Sequence, residues 1–445
     1  MNQRALFTLA VLFVINTLNF FDRQVLGAVG ESVRREFGFG DTALGALGTA
    51  FTLLYAIVGV PFGRMADRMP RKPIISAGVF LWSALTAASG LAQSFWQLFA
   101  LRLGIGVGEA TCSPAASSII GDLFPPARRS WALSIFMLGV PIGFGLSYAI
   151  SGSVAEAWGW RAAFFVAGVP GLLCGLAALW MFEPARGMAD GVTANAGANR
   201  RPGSPYRTVL SSPTMWWIIA SGALQNFTMY ALMSFLSPFL IRYHGVTLKQ
   251  AGFISMLVYG FSGVPGLIVG GLAADAAFRR RHDGRLLVGA ASIVMAAPVM
   301  FLALSRPQAD VVVFSVLMGL ACMLMYGYYA SVYATIQDVI EPSLRGTAMA
   351  LYFFAMYLLG GSMGPVGTGL ISDYYTVQAA VAAGVFERTP LALEPFRAGG
   401  LHSAMMLLPI LVATLAAVLF AASRTVTREV NTLRAWLSGA AKAAG

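Results

Sequence analysis

The stretch NTLNFFDR, residues 16–23, sets an acid and a base inside a run that is otherwise soluble in lipid. Residues 5–29 are long enough to cross a bilayer, since about 20 apolar residues at ~1.5 Å each suffice. Yet Asp22 and Arg23 lie well inside that run, where an ionised side chain costs at least ~2.5–3.5 kcal/mol on insertion scales. Asn16, Asn19 and Arg23 stand at i, i+3 and i+7, with Asp22 one position round, so all four share one third of a helix circumference. Such a face looks into a water-filled cavity or at partner charges. It reads as one wall of a substrate pathway.

Composition sets the class around that stretch. Of 445 residues, 57% are hydrophobic and 11% charged, with a mean hydropathy of +0.71. A soluble domain carries about 25% charge, so the chain is a polytopic membrane protein. The first run is too long for a cleaved signal and carries its polar pair near its far end. Cys112, Cys174 and Cys322 sit in apolar runs without pair or metal spacing, as packing residues do. His244, His282 and His402 are scattered near helix ends, so no metal site is expected. The net charge of +11 follows from topology rather than from nucleic acid. With the N-terminus inside and twelve crossings, 20 of the 30 Lys+Arg fall on the inner side and 8 outside, leaving Arg23 and Arg102 in the membrane. That is the positive-inside bias, and it puts both termini in the cytoplasm.

Apolar runs place helices near 5–29, 41–66, 73–93, 96–120, 130–153 and 162–182, then 213–241, 249–275, 286–304, 311–337, 346–372 and 401–422. The expected organisation is an N-terminal six-helix bundle over 1–182, a cytoplasmic linker rich in Gly, Pro, Ala and Arg over 183–212, a C-terminal bundle over 213–423, and a tail over 424–445. Residues 373–400 read as a long outer loop. In the tail, Val426, Val430, Leu433 and Leu437 form one stripe, which suits a short helix lying on the inner leaflet. The halves also echo each other. Gly63-x3-Asp67-x3-Arg71-Lys72 returns as Gly271-x3-Asp275-x3-Arg279-Arg280, offset by 208. Asp122-x3-Pro126-x2-Arg129 returns as Asp338-x3-Pro342-x2-Arg345, offset by 216. Pro141-x-Gly143-x-Gly145 returns as Pro365-x-Gly367-x-Gly369, offset by 224. Three matches in chain order mark a duplicated six-helix unit, a transporter design with a central site between parallel halves.

GRMADRMPRK resembles the loop signature of the major facilitator superfamily, and RLGIGVGE in the fourth helix resembles its Arg-containing motif. With NFFDR in the first helix and GVPIGFG in the fifth, the chain is most similar to the spinster branch. The resemblance implies an all-α fold of two pseudo-symmetric six-helix bundles, alternating access and proton drive. It also implies export of lysophospholipids or sphingosine-1-phosphate, as in that branch. Met69-Pro70 departs from the superfamily loop, where a glycine usually precedes the basic pair. The resemblance further implies a charge latch stabilising the outward-facing form, through Gly63, Asp67, Arg68 and Arg71.

Arg102 and Glu109 are seven apart in the fourth helix and share a face about 10 Å apart along the axis. Counted from the outer helix ends, Asp22, Arg23 and Arg102 fall at similar depth, with Glu109 two turns deeper. The plain alternative is a set of buried ion pairs fixing helix register, but such pairs are poor stabilisers. The functional reading is a proton relay in which Asp22 and Glu109 titrate and Arg102 is the fixed charge. Gly139, Pro141, Gly143 and Gly145 read as packing and hinge residues. In the second half the crossings lack ionisable groups away from their ends. The tenth helix instead carries Tyr326, Tyr329, Tyr333 and Gln337, and the seventh carries Asn226, Tyr230, Ser234 and Ser237, at helical spacing.

A cavity with charge on one wall and neutral aromatics on the other suits an amphiphile, its headgroup by Arg23 and Arg102 and its tail along the second half. Expected substrate contacts are Asn19, Asp22, Arg23, Arg102, Glu109, Asn226, Tyr230, Tyr326 and Tyr329. Arg23 and Arg102 would equally serve a proton-coupled carrier of small organic anions or drugs; a lipid sensor keeping a transporter fold is the reading from another class. Gly104-x-Gly106-x-Gly108 is no nucleotide loop, since no strand precedes it. No Walker motif and no nucleophile–base–acid set is visible, so no enzyme and no cofactor is expected. The expected partners are substrate, protons and bilayer, with the chain a monomer in a bacterial inner membrane.

Overall fold

The structure, a computed structural model, describes residues 3–185, 188, 204–340 and 344–444. Side chains at 60, 63, 64, 66–68, 126, 127, 129, 130, 205, 346, 434 and 436–444 are outside the description. Gly63, Asp67 and Arg68 of the expected latch therefore lie outside the described residues, as does Leu437 of the tail stripe.

Six crossings form the first half: α1 (Gln3–Phe37), α2 (Asp41–Arg68), α3 (Arg71–Ser89), α4 (Phe95–Glu109) continued by α5 (Cys112–Leu123), α6 (Pro126–Trp158) and α7 (Trp160–Ala178). A short α8 (Pro205–Leu210) precedes the second half. There α9 (Pro213–Tyr243) is followed by α10 (Leu248–Ser255), a π-helical turn (Met256–Phe261) and α11 (Ser262–Phe278) as one crossing. Then come α12 (Gly284–Leu304), α13 (Val311–Val339), and α14 (Arg345–Ala355), a second π-helical turn (Met356–Gly361) and α15 (Met363–Ala382) as another. Short α16 (Pro390–Leu393) leads to α17 (Arg397–Met405) and α18 (Leu408–Ala444), the last crossing. Twelve crossings return both ends of the chain to one side; the opposite side is called distal below.

Local chemistry sets the turns. Gly38 (φ 67°) and Gly159 (φ 83°) take the left-handed conformation that lets α1 and α6 reverse into their successors. Thr247 and Gln250 form a reciprocal cap at the start of α10. Gly143 lets α6 press on α1, since a Cβ there would lie 2.4 Å from the Thr17 carbonyl. Gly145 instead faces Gly260 of the other half, so the glycine set divides between two seams.

Three expected boundaries move. α1 continues to Phe37 because GESVRREF is amphipathic: Val33 is buried, and Glu31 and Arg34 pair with each other. The outer loop is shorter than 373–400, since α15 runs to Ala382 and places Asp373 inside a helix. The tail is no separate helix on the leaflet. α18 is unbroken to Ala444, and Val426 and Val430 join the core that also holds Val209 and Ile340. Glu429 accepts from Ser212 Oγ (2.5 Å) and the Thr214 amide (3.1 Å), fixing the tail to the start of α9.

The halves meet along α1–α9, α2–α15 and α6–α10. A Cβ on Gly45 would lie 2.2 Å from the Pro365 carbonyl, and one on Gly252 2.4 Å from the Tyr148 carbonyl. No larger residue fits those two seams as they stand.

Candidate functional site

Arg23 and Glu109 each lie fourteen residues from the distal end of their helix, Phe37 and Phe95 respectively, and so sit level. Arg23 Nε donates to Glu109 Oε2 at 2.8 Å, with both side chains buried. The depth expected from sequence, with Arg23 beside Arg102, is corrected by the longer α1; Arg102 stands two turns distal. The Arg23 guanidinium lies over Tyr55 (4.4 Å) and Phe20 (4.5 Å), and that of Arg102 over Phe51 (5.1 Å). Aromatic faces hold a cation where water is scarce. Asp22 accepts from Thr86 Oγ1 at 3.2 Å and has Glu109 and Arg102 as charged neighbours. The four ionisable groups singled out by sequence are thus brought together.

Beside them lies a small cavity of about 30 Å³ between the halves, lined by Arg23, Gln24, Gly27, Thr52, Arg102, Tyr230, Met233 and Ser234 among others. Asp22 and Glu109 stand behind the arginines, within the first half. Arg23 Nη1 and Nη2, Arg102 Nε and Nη1, Asp22 Oδ1 and Glu109 Oε1 are buried without a hydrogen-bond partner. Stranded charged groups are costly, about 1–3 kcal/mol each or more, so this constellation calls for an anion or water. The rings of Tyr55 and Tyr357, from opposite halves, meet at 5.4 Å beside the Arg23 guanidinium.

Several expected contacts lie elsewhere. Asn16 turns its amide to the Phe136 carbonyl (2.7 Å) and packs α1 on α6. Asn19 is buried beside Glu109. Asn226 is not a lining residue: it bonds the Gly222 carbonyl of its own helix (3.2 Å) and is covered by Gly360. Tyr326 and Tyr329 are not lining residues either. Tyr326 donates to the Tyr259 carbonyl (3.2 Å), and Tyr329 packs on Tyr328 and Tyr333 within the second half. Tyr230 alone of that set faces the cavity. Sequence reasoning missed Gln24 and Thr52; an uncharged residue next to a charged pair gives no signal of its own.

It also missed a distal cluster joining the halves. Arg242 Nε donates to Glu31 Oε2 (2.6 Å) and Nη1 to Asp41 Oδ2 (2.8 Å). Arg34 reaches Glu394 (2.6 Å), and Asp373 accepts from the Asp41 and Thr42 amides (2.9 and 2.8 Å). Toward the termini, Arg71 serves its own half, pairing with Asp122 and with Glu183 (2.9 Å). Its counterpart is Arg285, not Arg279: it pairs with Asp338 and with Asp275 (2.9 Å), and 285 − 71 gives an offset of 214, between the 208 and 216 of the motifs that carry those two aspartates. Among the described residues no cluster of three or more His, Cys, Asp or Glu side chains is placed to hold a metal ion.

A duplicated twelve-helix bundle, closed at one face around a buried charged cavity, defines a membrane transporter rather than an enzyme. The Major Facilitator Superfamily profile matches residues 12–365. The chain is 30% identical to a mouse sphingosine-1-phosphate transporter, over 82% of this chain and 69% of that one. It is 29% identical to an MFS-type efflux pump of Mycolicibacterium smegmatis, over 84% and 86%. A bacterial homologue of the human lysosomal transporter spinster, in an inward-facing unoccupied conformation, superposes with a TM-score of 0.86 at 28% identity, covering 96% of this chain and 99% of that one. The protein belongs to the major facilitator superfamily, in its spinster branch.

Proposed function

We propose that the protein is a proton-coupled transporter of an anionic single-chain lipid, with Arg23 and Arg102 holding the headgroup and Tyr230, Thr52 and Ser234 lining its path. One observation carries this reading: Arg23 gives Nε to Glu109 while its Nη1 and Nη2 remain unpaired, and Arg23 lines the cavity. An anion entering there competes with Glu109 for one guanidinium. Once Arg23 turns to the substrate, Glu109 is a buried carboxylate without its partner, and it takes a proton. Asp22, on the same face and near Arg102, is the second proton-carrying group. The uncharged second-half wall, with Tyr230, Met233 and Pro365, suits an acyl chain, as does the lipid substrate named for a relative. The termini lie in the cytoplasm of a bacterial inner membrane, with bundles over 1–182 and 213–423 rocking as units about the cavity.

The M. smegmatis relative supports a second reading, efflux of small organic anions or drugs through the same arginines. Reconstituted protein under an imposed pH gradient separates the two. Uptake of sphingosine-1-phosphate or lysophosphatidic acid, competed by neither benzoate nor a cationic dye, supports the lipid reading; the reverse order sinks it. Asp22→Asn and Glu109→Gln proteins that transport like the parent under that gradient dispose of the proton relay.

A further inference from the structure

One wall of the cavity is tied across the halves by a phenol. Tyr148 of α6 is fully buried and donates to the Met233 backbone carbonyl of α9 at 2.6 Å. Its hydroxyl also lies 3.0 Å from Gln24 Oε1, and Gln24 Nε2 in turn lies 3.5 Å from Met233 Sδ. The ring stacks on Tyr259 at 5.4 Å, inside the π-helical turn Met256–Phe261, and the Tyr148 carbonyl packs where Gly252 leaves no room for a side chain. One side chain therefore grips α9 through its hydroxyl and the α10–α11 crossing through its face. π-helical turns interrupt regular helix bonding and recur at functional sites; this one lies at the seam the tyrosine closes.

Two of the three groups in this knot, Gln24 and Met233, also line the cavity, as does Gly27 beside them. Ser237 makes another cross-half bond, to the Ala28 carbonyl at 3.0 Å, but neither residue lines the cavity. Tyr148 thus makes the shorter of the two cross-half bonds that end on these lining residues, the other being Gln24 Nε2 to Met233 Sδ. We propose that Tyr148 is the positioning residue of the distal closure. Its bond to Met233 keeps the seam shut, and a ligand crowding Gln24 or Met233 reaches the seam through that hydroxyl. The proposal rests on reading the cavity as the transport site.

The test needs no ligand, so it stands apart from the question of which substrate is carried. Spin labels go on Ala157→Cys, at the distal end of α6, and on Ala309→Cys, in the distal loop before α13. Both positions are exposed and lie on opposite halves, and the three native cysteines are exchanged for alanine in the full chain. Pulsed dipolar spectroscopy then reads the distance across the distal face in lipid nanodiscs. Y148F keeps the ring and loses only the hydroxyl, so the ratio of long-distance to short-distance populations is expected to rise about fivefold, which is one neutral buried hydrogen bond converted at tenfold per 1.4 kcal/mol. Should Y148F fail to fold, G27A attacks the same knot, since its Cβ lies 2.6 Å from the Met233 carbonyl and 3.0 Å from the Tyr148 hydroxyl. It is expected to open the seam likewise. Folded Y148F with a distance distribution superposable on the parent's overturns the proposal, as does folded G27A that keeps the seam closed.

Discussion

Replacing Arg242 by Met tests how the distal face is held. Arg242 is buried between Glu31 and Asp41, whose side chains are 3% and 0% exposed. Removing one partner of a buried ion pair costs about 3–5 kcal/mol, because the other charge is left stranded. Here the lower end applies, since Glu31 keeps Arg34 (2.9 Å) and Asp41 keeps the Ser372 hydroxyl (2.6 Å). In a distally open state water reaches both carboxylates, so the penalty falls on the closed state. About 3 kcal/mol then shifts the closed-to-open ratio on the order of 100-fold. The assay is the rate at which a membrane-impermeant maleimide, added from the distal side, modifies Ser234→Cys inside the cavity. Labelling is expected to accelerate toward that factor in R242M, and to slow again when Asp41→Asn removes the stranded charge. Folded R242M labelled at the parental rate would refute the reasoning, and with it the role of the distal cluster as the lock on the closed form.

Other consequences follow from particular contacts. Burial, partly offset by a bond to the Gln308 carbonyl (2.8 Å), holds the His244 imidazole below its ordinary value. The unfolded chain then binds more protons in the window below about pH 6.5, so stability falls as pH drops through it. The melting temperature is expected to fall between pH 7 and pH 5, and less so in His244→Gln. Arg71→Ala removes one partner each from Glu183 and Asp122 and frees the Pro184 carbonyl (2.7 Å); melting is expected to drop by several degrees, with Arg71→Lys recovering part of it. Gly143→Val sets a side chain 2.4 Å from the Thr17 backbone; folded yield in detergent, read by size exclusion, is expected to collapse. Glu429→Ala removes two bonds to the start of α9 and is expected to speed proteolysis of the tail without halving transport.

The fold was readable from sequence because a bilayer admits few answers. A run such as residues 5–29 has to be a helix, and three motif repeats at rising offsets have to be a duplication. The charged centre was readable for the same reason: Asp22, Arg23, Arg102 and Glu109 are expensive where they stand, and expense is visible in one dimension. Helix ends were not, because GESVRREF and the residues after Asp373 are polar enough to pass for loop while folding as amphipathic turns against protein. That misplaced end shifted Arg23 by about two turns and hid its pairing with Glu109. It also hid the distal cluster, whose members Glu31, Asp41 and Arg242 are cheap at helix ends and meet only when the halves close. The second-half contacts went astray through rotation. Asn226 shares a helical spacing with the cavity residue Tyr230, and Tyr326 and Tyr329 with each other, but spacing alone does not say which side of a helix faces the other half. Tyr148, one tyrosine among 14, gave no signal at all.

The claim that most of this depends on is that substrate and Glu109 compete for Arg23, and proton uptake on binding tests it most directly. Sphingosine-1-phosphate is added to purified protein in weakly buffered detergent near pH 7, and the change in free protons is followed with an indicator dye. The account predicts that protons are taken up as the lipid binds, and that Glu109→Gln protein binds the lipid without that uptake. Equal uptake by parent and Glu109→Gln, or saturable binding by the parent with no proton taken up, would contradict it.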